Sequence, residues 1–188
     1  MDGPRTCRVA LTGGIACGKS LLAKRLNELG VETLDADDVV HGLVPEEERR
    51  RLAGVVFRDA GARRALEARL HPLVRRRIDE WFAEGGAPFK VAVVPLLFEV
   101  QWERDYDIIC CVVASGEEQV RRMTQLRGYT REEAEARLAA QMPVAEKAAR
   151  SHYVICNDGS PEELSDKASG MVAFIRSTME KERAGNGR

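Results

Sequence analysis

Residues Gly13-Gly14-Ile15-Ala16-Cys17-Gly18-Lys19-Ser20 place a glycine at the first and sixth positions, followed by a lysine and a hydroxyl. That spacing suits the cradling of phosphate. Glycines let successive backbone N–H groups turn toward one set of anionic oxygens, and a helix starting there adds partial positive charge. Lys19 would reach the β- and γ-phosphates of ATP and the Ser20 hydroxyl would take a Mg²⁺ position. The expected ATP-binding set is therefore Gly13, Gly14, Ala16, Cys17, Gly18, Lys19, Ser20 and Leu21. A chance match in a turn is the competing reading, and the apolar run Arg8 to Thr12 before it and the helical pattern after it argue against that.

A second chemical signal is Leu34-Asp35-Ala36-Asp37-Asp38. Carboxylates at the end of a strand beside the phosphate-loop strand lie where ligands bind in open α/β sheets. One of them can take the proton of an attacking hydroxyl, the role a kinase gives to an Asp. Capping of the next helix is the plainer role, for Asp37 and more so for Asp38. Cys17 also has two readings: a small side chain filling the loop, or a thiolate favoured by the N–H dipoles around it.

These residues need elements to hold them. Apolar β-rich runs at Cys7 to Thr12, Val31 to Leu34, Phe89 to Val94, Ile108 to Val113 and Tyr153 to Cys156 alternate with helical patterns. The alternation predicts an α/β fold with a five-stranded parallel sheet, most of its strands covered on both faces. The second strand is expected beside the first. Lys19 to Leu29 forms a helix ending at Gly30, and Thr130 with Glu133 forms a capping box opening Arg131 to Gln141. Pro143 starts another helix, and Pro161 opens one to about Met179, with a frayed polar tail beyond. Two helical, Arg-rich stretches interrupt the alternation, and they predict a substrate flap at 43–87 and a lid at 117–150. The core is then 1–42, 88–116 and 151–180, with 183–188 as the tail.

Composition narrows the class. The chain has 188 residues, 44% apolar and 31% charged, with Lys+Arg 29 against Asp+Glu 30 and a net charge of -1. Such a balance argues against a nucleic-acid binder, and no apolar run is long enough to span a bilayer. The N-terminus lacks a signal-peptide pattern. Five cysteines without C-x-x-C spacing argue against zinc or a disulfide framework, so a cytoplasmic protein is expected. Cys7, Cys110, Cys111 and Cys156 fall in strand-like runs and are expected to be buried.

Neither N-K-x-D nor a D-x-x-G after a strand is present, which excludes a GTPase reading. Small size, a phosphate loop and a basic helical lid point to a small-molecule kinase. The chain resembles the dephospho-CoA kinase family in Leu11-Thr12-Gly13-Gly14-Ile15, Gly18-Lys19-Ser20, Asp35-Ala36-Asp37, His71-Pro72-Leu73-Val74, Val94-Pro95-Leu96-Leu97-Phe98-Glu99, Gln141 and Val154-Ile155-Cys156-Asn157-Asp158-Gly159. The resemblance implies a three-layer P-loop kinase fold and transfer of the ATP γ-phosphoryl to the 3′-hydroxyl of dephospho-CoA, the last step of coenzyme A synthesis. It implies dephospho-CoA and ATP as partners; no nucleic acid or membrane partner is expected from the composition, and a monomer is expected, with a small oligomer as the alternative.

The resemblance also assigns roles. Asp37 is the base, and Asp35 either fixes it or reaches the metal through water. Arg122, after Gln119, stacks on the ATP adenine and Asn157 lies on its other face, although Arg122 also reads as one of several arginines on a solvated helix. His41 matches a basic substrate position four residues after the D-A-D motif. His71 either contacts substrate or caps a helix from Pro72 to Ala83. Glu99 holds an Arg of the lid or substrate region by a bidentate pair, and one of Arg75, Arg76 and Arg77, Arg75 first, meets the substrate pyrophosphate. The segment from Gly42 to Arg51 is shorter than the family's, Leu126 stands where many members have Arg, and Ser151-His152 replaces Ala-Asp. The alternatives are another small P-loop kinase, acting on a nucleotide or sugar alcohol, and an ATP-binding module without transfer.

Overall fold

The structure, a computed structural model, describes residues 5–45, 47 and 60–186. Much of the expected flap, including the Leu52 to Phe57 stretch and the side chains of Arg63 and Arg64, lies outside the described residues. Five parallel strands make the middle layer: β1 (Cys7–Gly13), β2 (Thr33–Asp35), β3 (Phe89–Val93), β4 (Ile108–Val113) and β5 (Tyr153–Cys156). Their order is β2-β3-β1-β4-β5. The second strand therefore does not adjoin the first. β3, buried at all five positions, takes the inner place, while the half-buried β2 goes to the edge.

Successive strand residues face opposite sides, so each inner strand feeds two cores. Val9, Leu11, Val91, Cys110 and Val112 face α1 (Lys19–Glu28) and the last helix, meeting Leu22, Leu26, Met171 and Ile175. Ala10, Ala92 and Ile109 face the other way, toward Val39 of α2 (Ala36–Leu43) and Val74, Ile78 and Phe82 of α3 (Ala60–Ala83). The result is the expected three-layer sandwich. The stretch expected to be a lid adds α4 (Gly116–Arg127), α5 (Arg131–Ala139) and α6 (Val144–Ala149), followed by α7 (Pro161–Asn186).

Three local expectations are corrected. Helix α3 runs straight through Pro72, so His71 is inside a helix and caps nothing. Pro72 loses one backbone hydrogen bond, but it sits on the exposed face while Val74, Ile78 and Phe82, four apart, bury one stripe into the second core. Helix α7 continues past Met179 to Asn186, because Glu180 to Ala184 are strong helix formers propagating a helix that already exists. Cys156 is exposed: β5 is an edge strand with only one covered side, and Ile155 takes the inward position.

Cys7, Cys17, Cys110 and Cys111 are buried as free thiols. Burial pushes Cys7 and Cys111 up to about 11 and raises Cys17 too, the reverse of the thiolate expectation. In the folded protein, a thiol reagent at neutral pH is therefore expected to modify Cys156 alone at a fast rate. Cys156→Ser should abolish the fast phase, and a fast phase surviving in that variant would contradict the packing described.

Candidate active site

Between β1 and α1 the loop reverses sharply. Gly13 has φ +144°, and a Cβ there would lie 2.1 Å from the Val112 carbonyl oxygen, so only glycine lets the loop leave the sheet beside β4. Gly18 has φ +98°, and a Cβ there would lie 2.3 Å from Asn157 Nδ2. No side chain caps α1 at Gly18, which leaves its first N–H groups for an anion. Lys19 folds back across the loop, donating from Nζ to the carbonyls of Gly13 (3.0 Å) and Gly14 (2.8 Å). Burial lowers the Lys19 ammonium from its ordinary value, and the nearby charges of Asp37 and Asp35 oppose that shift.

The outer side of the loop is held by other elements. Gln119 of α4 donates to the Ile15 carbonyl (2.7 Å), and Gln141 accepts from the Ile15 N–H (3.1 Å). Arg122 donates to the Ala16 carbonyl (3.2 Å) and Asn157, after β5, to the Cys17 carbonyl (2.8 Å). In the sequence Gln119 and Gln141 serve only as landmarks of the lid. Their role as loop holders is invisible there, because a glutamine on a helix carries no mark of its partner.

Arg122 is not a solvated arginine. Its side chain is 14% exposed, and its three nitrogens donate to Glu118 (2.7 Å), Ala16 O and Asn157 O (2.7 Å). Glu118 is clamped from the other side by Arg121, which with Arg122 holds its carboxyl down at about 2. The flat Arg122 guanidinium and Asn157 border a cavity of about 360 Å³ together with Lys19, Ser20, Leu21 and Leu126. That volume and lining suit a nucleotide whose phosphates lie on the loop. Leu126 is 75% exposed at the rim.

The acidic motif, whose charges act on Lys19, divides its labour. Asp35 caps α2, its Oδ1 accepting from the Asp37 N–H (2.9 Å), and burial raises its carboxyl while that N–H opposes the rise. Asp37 is thereby spared capping and stands exposed in the first turn of α2. It lines a second cavity of about 220 Å³ with His71, Trp102, Pro95 and Leu96. His71 meets Trp102 edge-on at 5.7 Å between ring centres.

The remaining candidates are placed differently. His41 is exposed, its Nδ1 4.0 Å from Asp38. Arg75 donates to Asp105 (2.5 Å), in the short 3-10 turn Glu103–Asp105, and is not among the residues bordering the Asp37 cavity. Among the described residues no arginine pairs with Glu99. Its Oε1 lies 2.7 Å from Nζ of Lys147 and accepts from the Met142 N–H (3.2 Å), because α6 presents a buried lysine at that point. Among the described residues no three His, Cys, Asp or Glu side chains come together as a metal cage. The exposed Ser20 hydroxyl, in the first turn of α1, is an oxygen donor of the kind Mg²⁺ takes. Among the same residues no helix is long and apolar enough to cross a membrane.

The sequence model of the family described as dephospho-CoA kinase matches residues 7–50 and 45–163. The two stretches overlap at 45–50, inside the segment from Gly42 to Arg51 that reads as short. A Symbiobacterium thermophilum dephospho-CoA kinase is 39% identical over 178 residues, covering 81% of this chain and 74% of the relative. One from Geobacter sulfurreducens is 38% identical, covering 83% and 92%. Among solved structures, a Thermus thermophilus protein superposes with TM-score 0.77 at 36% identity, covering 91% of this chain and 98% of that one. A shikimate kinase from Acinetobacter baumannii, at TM-score 0.61 and 18% identity over 93% and 96%, shares the fold. With the phosphate loop, the D-A-D turn and the lid contacts in place, this chain belongs to the dephospho-CoA kinase family.

Proposed function

We propose that Asp37 is the general base for the family's reaction in this chain: transfer of the γ-phosphoryl group of ATP to the 3′-hydroxyl of dephospho-CoA, giving coenzyme A and ADP. The observation that supports this most is the cavity Asp37 shares with His71 and Trp102, separate from the Lys19-lined cavity bordered by Arg122 and Asn157, with the Asp37 charge acting on Lys19. A donor in one and an acceptor in the other would approach each other over Lys19.

In that arrangement the ribose oxygen forms a bond to the γ-phosphorus as the bond to the ADP oxygen breaks, and the hydroxyl proton passes to the Asp37 carboxylate. Lys19, now held by two loop carbonyls, turns its charge to the transferring phosphoryl group. Arg122 and Asn157 sandwich the adenine. Mg²⁺, held by the Ser20 hydroxyl and the phosphates, would supply charge neutralisation on the phosphate oxygens. Of the acceptor set, His71 lines the wall, Asp35 orients Asp37 by capping its helix, and His41 and Arg75 lie farther out for the pyrophosphate and pantetheine portions. Helices α4 to α6 form the lid, and the enzyme works as a cytoplasmic monomer.

Two measurements follow. Asp37→Asn is expected to lower kcat by roughly 10²–10⁴-fold while leaving the Kd for ATP within about twofold. An equal loss of ATP affinity would remove Asp37 from the base role. Arg122→Ala should raise the ATP Kd by about tenfold or more in titration calorimetry, since charged hydrogen bonds to Ala16 and Asn157 are lost. Arg131→Ala, whose guanidinium contacts Glu135 and which does not border the Arg122 cavity, should have a much smaller effect, and equal losses would contradict the stacking role.

A further inference from the structure

Lys147 is fully buried, in a helix of only six residues. A buried ammonium is strongly destabilising unless it is paired and hydrogen-bonded, so its partners reveal what it is for. Nζ donates to the Pro95 carbonyl (2.8 Å) and pairs with Glu99 Oε1 (2.7 Å). Pro95 and Glu99 begin and end the Pro95-Leu96-Leu97-Phe98-Glu99 turn. Pro95 and Leu96 line the cavity that contains Asp37.

The attachment is reinforced around Lys147. Thr12, just before the phosphate loop, donates to the same Pro95 carbonyl (3.3 Å). Arg150, the residue capping α6, donates to Glu103 (2.6 Å) and lies over the Phe98 ring at 4.3 Å. At the other end of this short lid segment, Gln141 holds the Ile15 N–H and its neighbour Met142 donates to Glu99. The Pro95 carbonyl thus ties the wall of the Asp37 cavity to Lys147 and to the end of β1, while the loop beyond it is held by donors that do not touch Lys147.

We infer that Lys147 is a positioning residue for the phosphoryl acceptor. Acting through the Pro95 carbonyl and the Glu99 carboxylate, it fixes the wall that sets the depth at which an acceptor hydroxyl meets Asp37. This rests on reading the Asp37 cavity as the acceptor site. A shift of the wall by about an ångström would misplace the hydroxyl and cost the reaction heavily, whereas the ATP cavity, held by Arg122 and Asn157, would be undisturbed.

The test compares wild type, Lys147→Met and the double variant Lys147→Met/Glu99→Met, measuring the KM for dephospho-CoA, the Kd for ATP and the Tm. Lys147→Met is expected to raise the acceptor KM by about tenfold or more with the ATP Kd within about twofold. The double variant replaces the ion pair by apolar groups of similar volume, so it should recover Tm but not the acceptor KM. An acceptor KM that stays at the wild-type value, or that returns together with Tm in the double variant, overturns the proposal and leaves Lys147 a stabilising residue only. If Lys147→Met fails to fold, the double variant alone gives the decisive KM. Failure of the underlying acceptor reading would show separately, as wild-type protein that does not turn over dephospho-CoA.

Discussion

A loop that turns its N–H groups inward toward phosphate must turn carbonyls elsewhere, and each carbonyl removed from water requires a donor. This requirement organises the rest of the molecule. From Gly13 to Cys17 every loop carbonyl has one: Lys19 serves Gly13 and Gly14, Gln119 serves Ile15, Arg122 serves Ala16 and Asn157 serves Cys17. Three of those donors arrive more than a hundred residues later in the chain, so the sheet order must bring β4 and β5 to the loop before it can hold its shape. The pairing of β4 with both β1 and β5 does so.

The same economy appears in the charges. A total of -1 hides a spatial division of tasks among the acidic groups near the site. Asp35 caps, Asp37 has no side-chain hydrogen bond among the described residues, Glu118 orients Arg122, and Glu99 receives Lys147 and the Met142 N–H. Separating the capping acid from the exposed one is what leaves a carboxylate available beside a lysine. Had Asp37 capped the helix, its oxygens would have been committed to backbone N–H groups.

Much of this was legible from residue type and spacing. The phosphate loop, the five strands and the capping box at Thr130 follow from local rules, because glycine geometry, apolar runs and caps are properties of neighbours in sequence. What was not legible depends on distant partners. Strand order could not be read, since either neighbour of β1 would satisfy an apolar run. Glu99 was expected to hold an arginine and holds a lysine, because which cation faces it depends on how α6 docks. Cys17 was open to a thiolate reading because the loop dipoles are visible in sequence and the core beneath is not. Pro72 misled as a helix start because the burial of Val74, Ile78 and Phe82, a tertiary matter, carries α3 through it.

Phosphoryl transfer across Lys19, from a nucleotide beside Arg122 to a hydroxyl beside Asp37, is the claim on which the other assignments hang. The most direct measurement is ³¹P NMR of the products formed from Mg²⁺-ATP and dephospho-CoA. The expected result is a new phosphomonoester resonance on the ribose 3′ position, growing in step with ADP. ADP formed at the same rate without acceptor, or phosphate appearing on a different hydroxyl, would contradict the account.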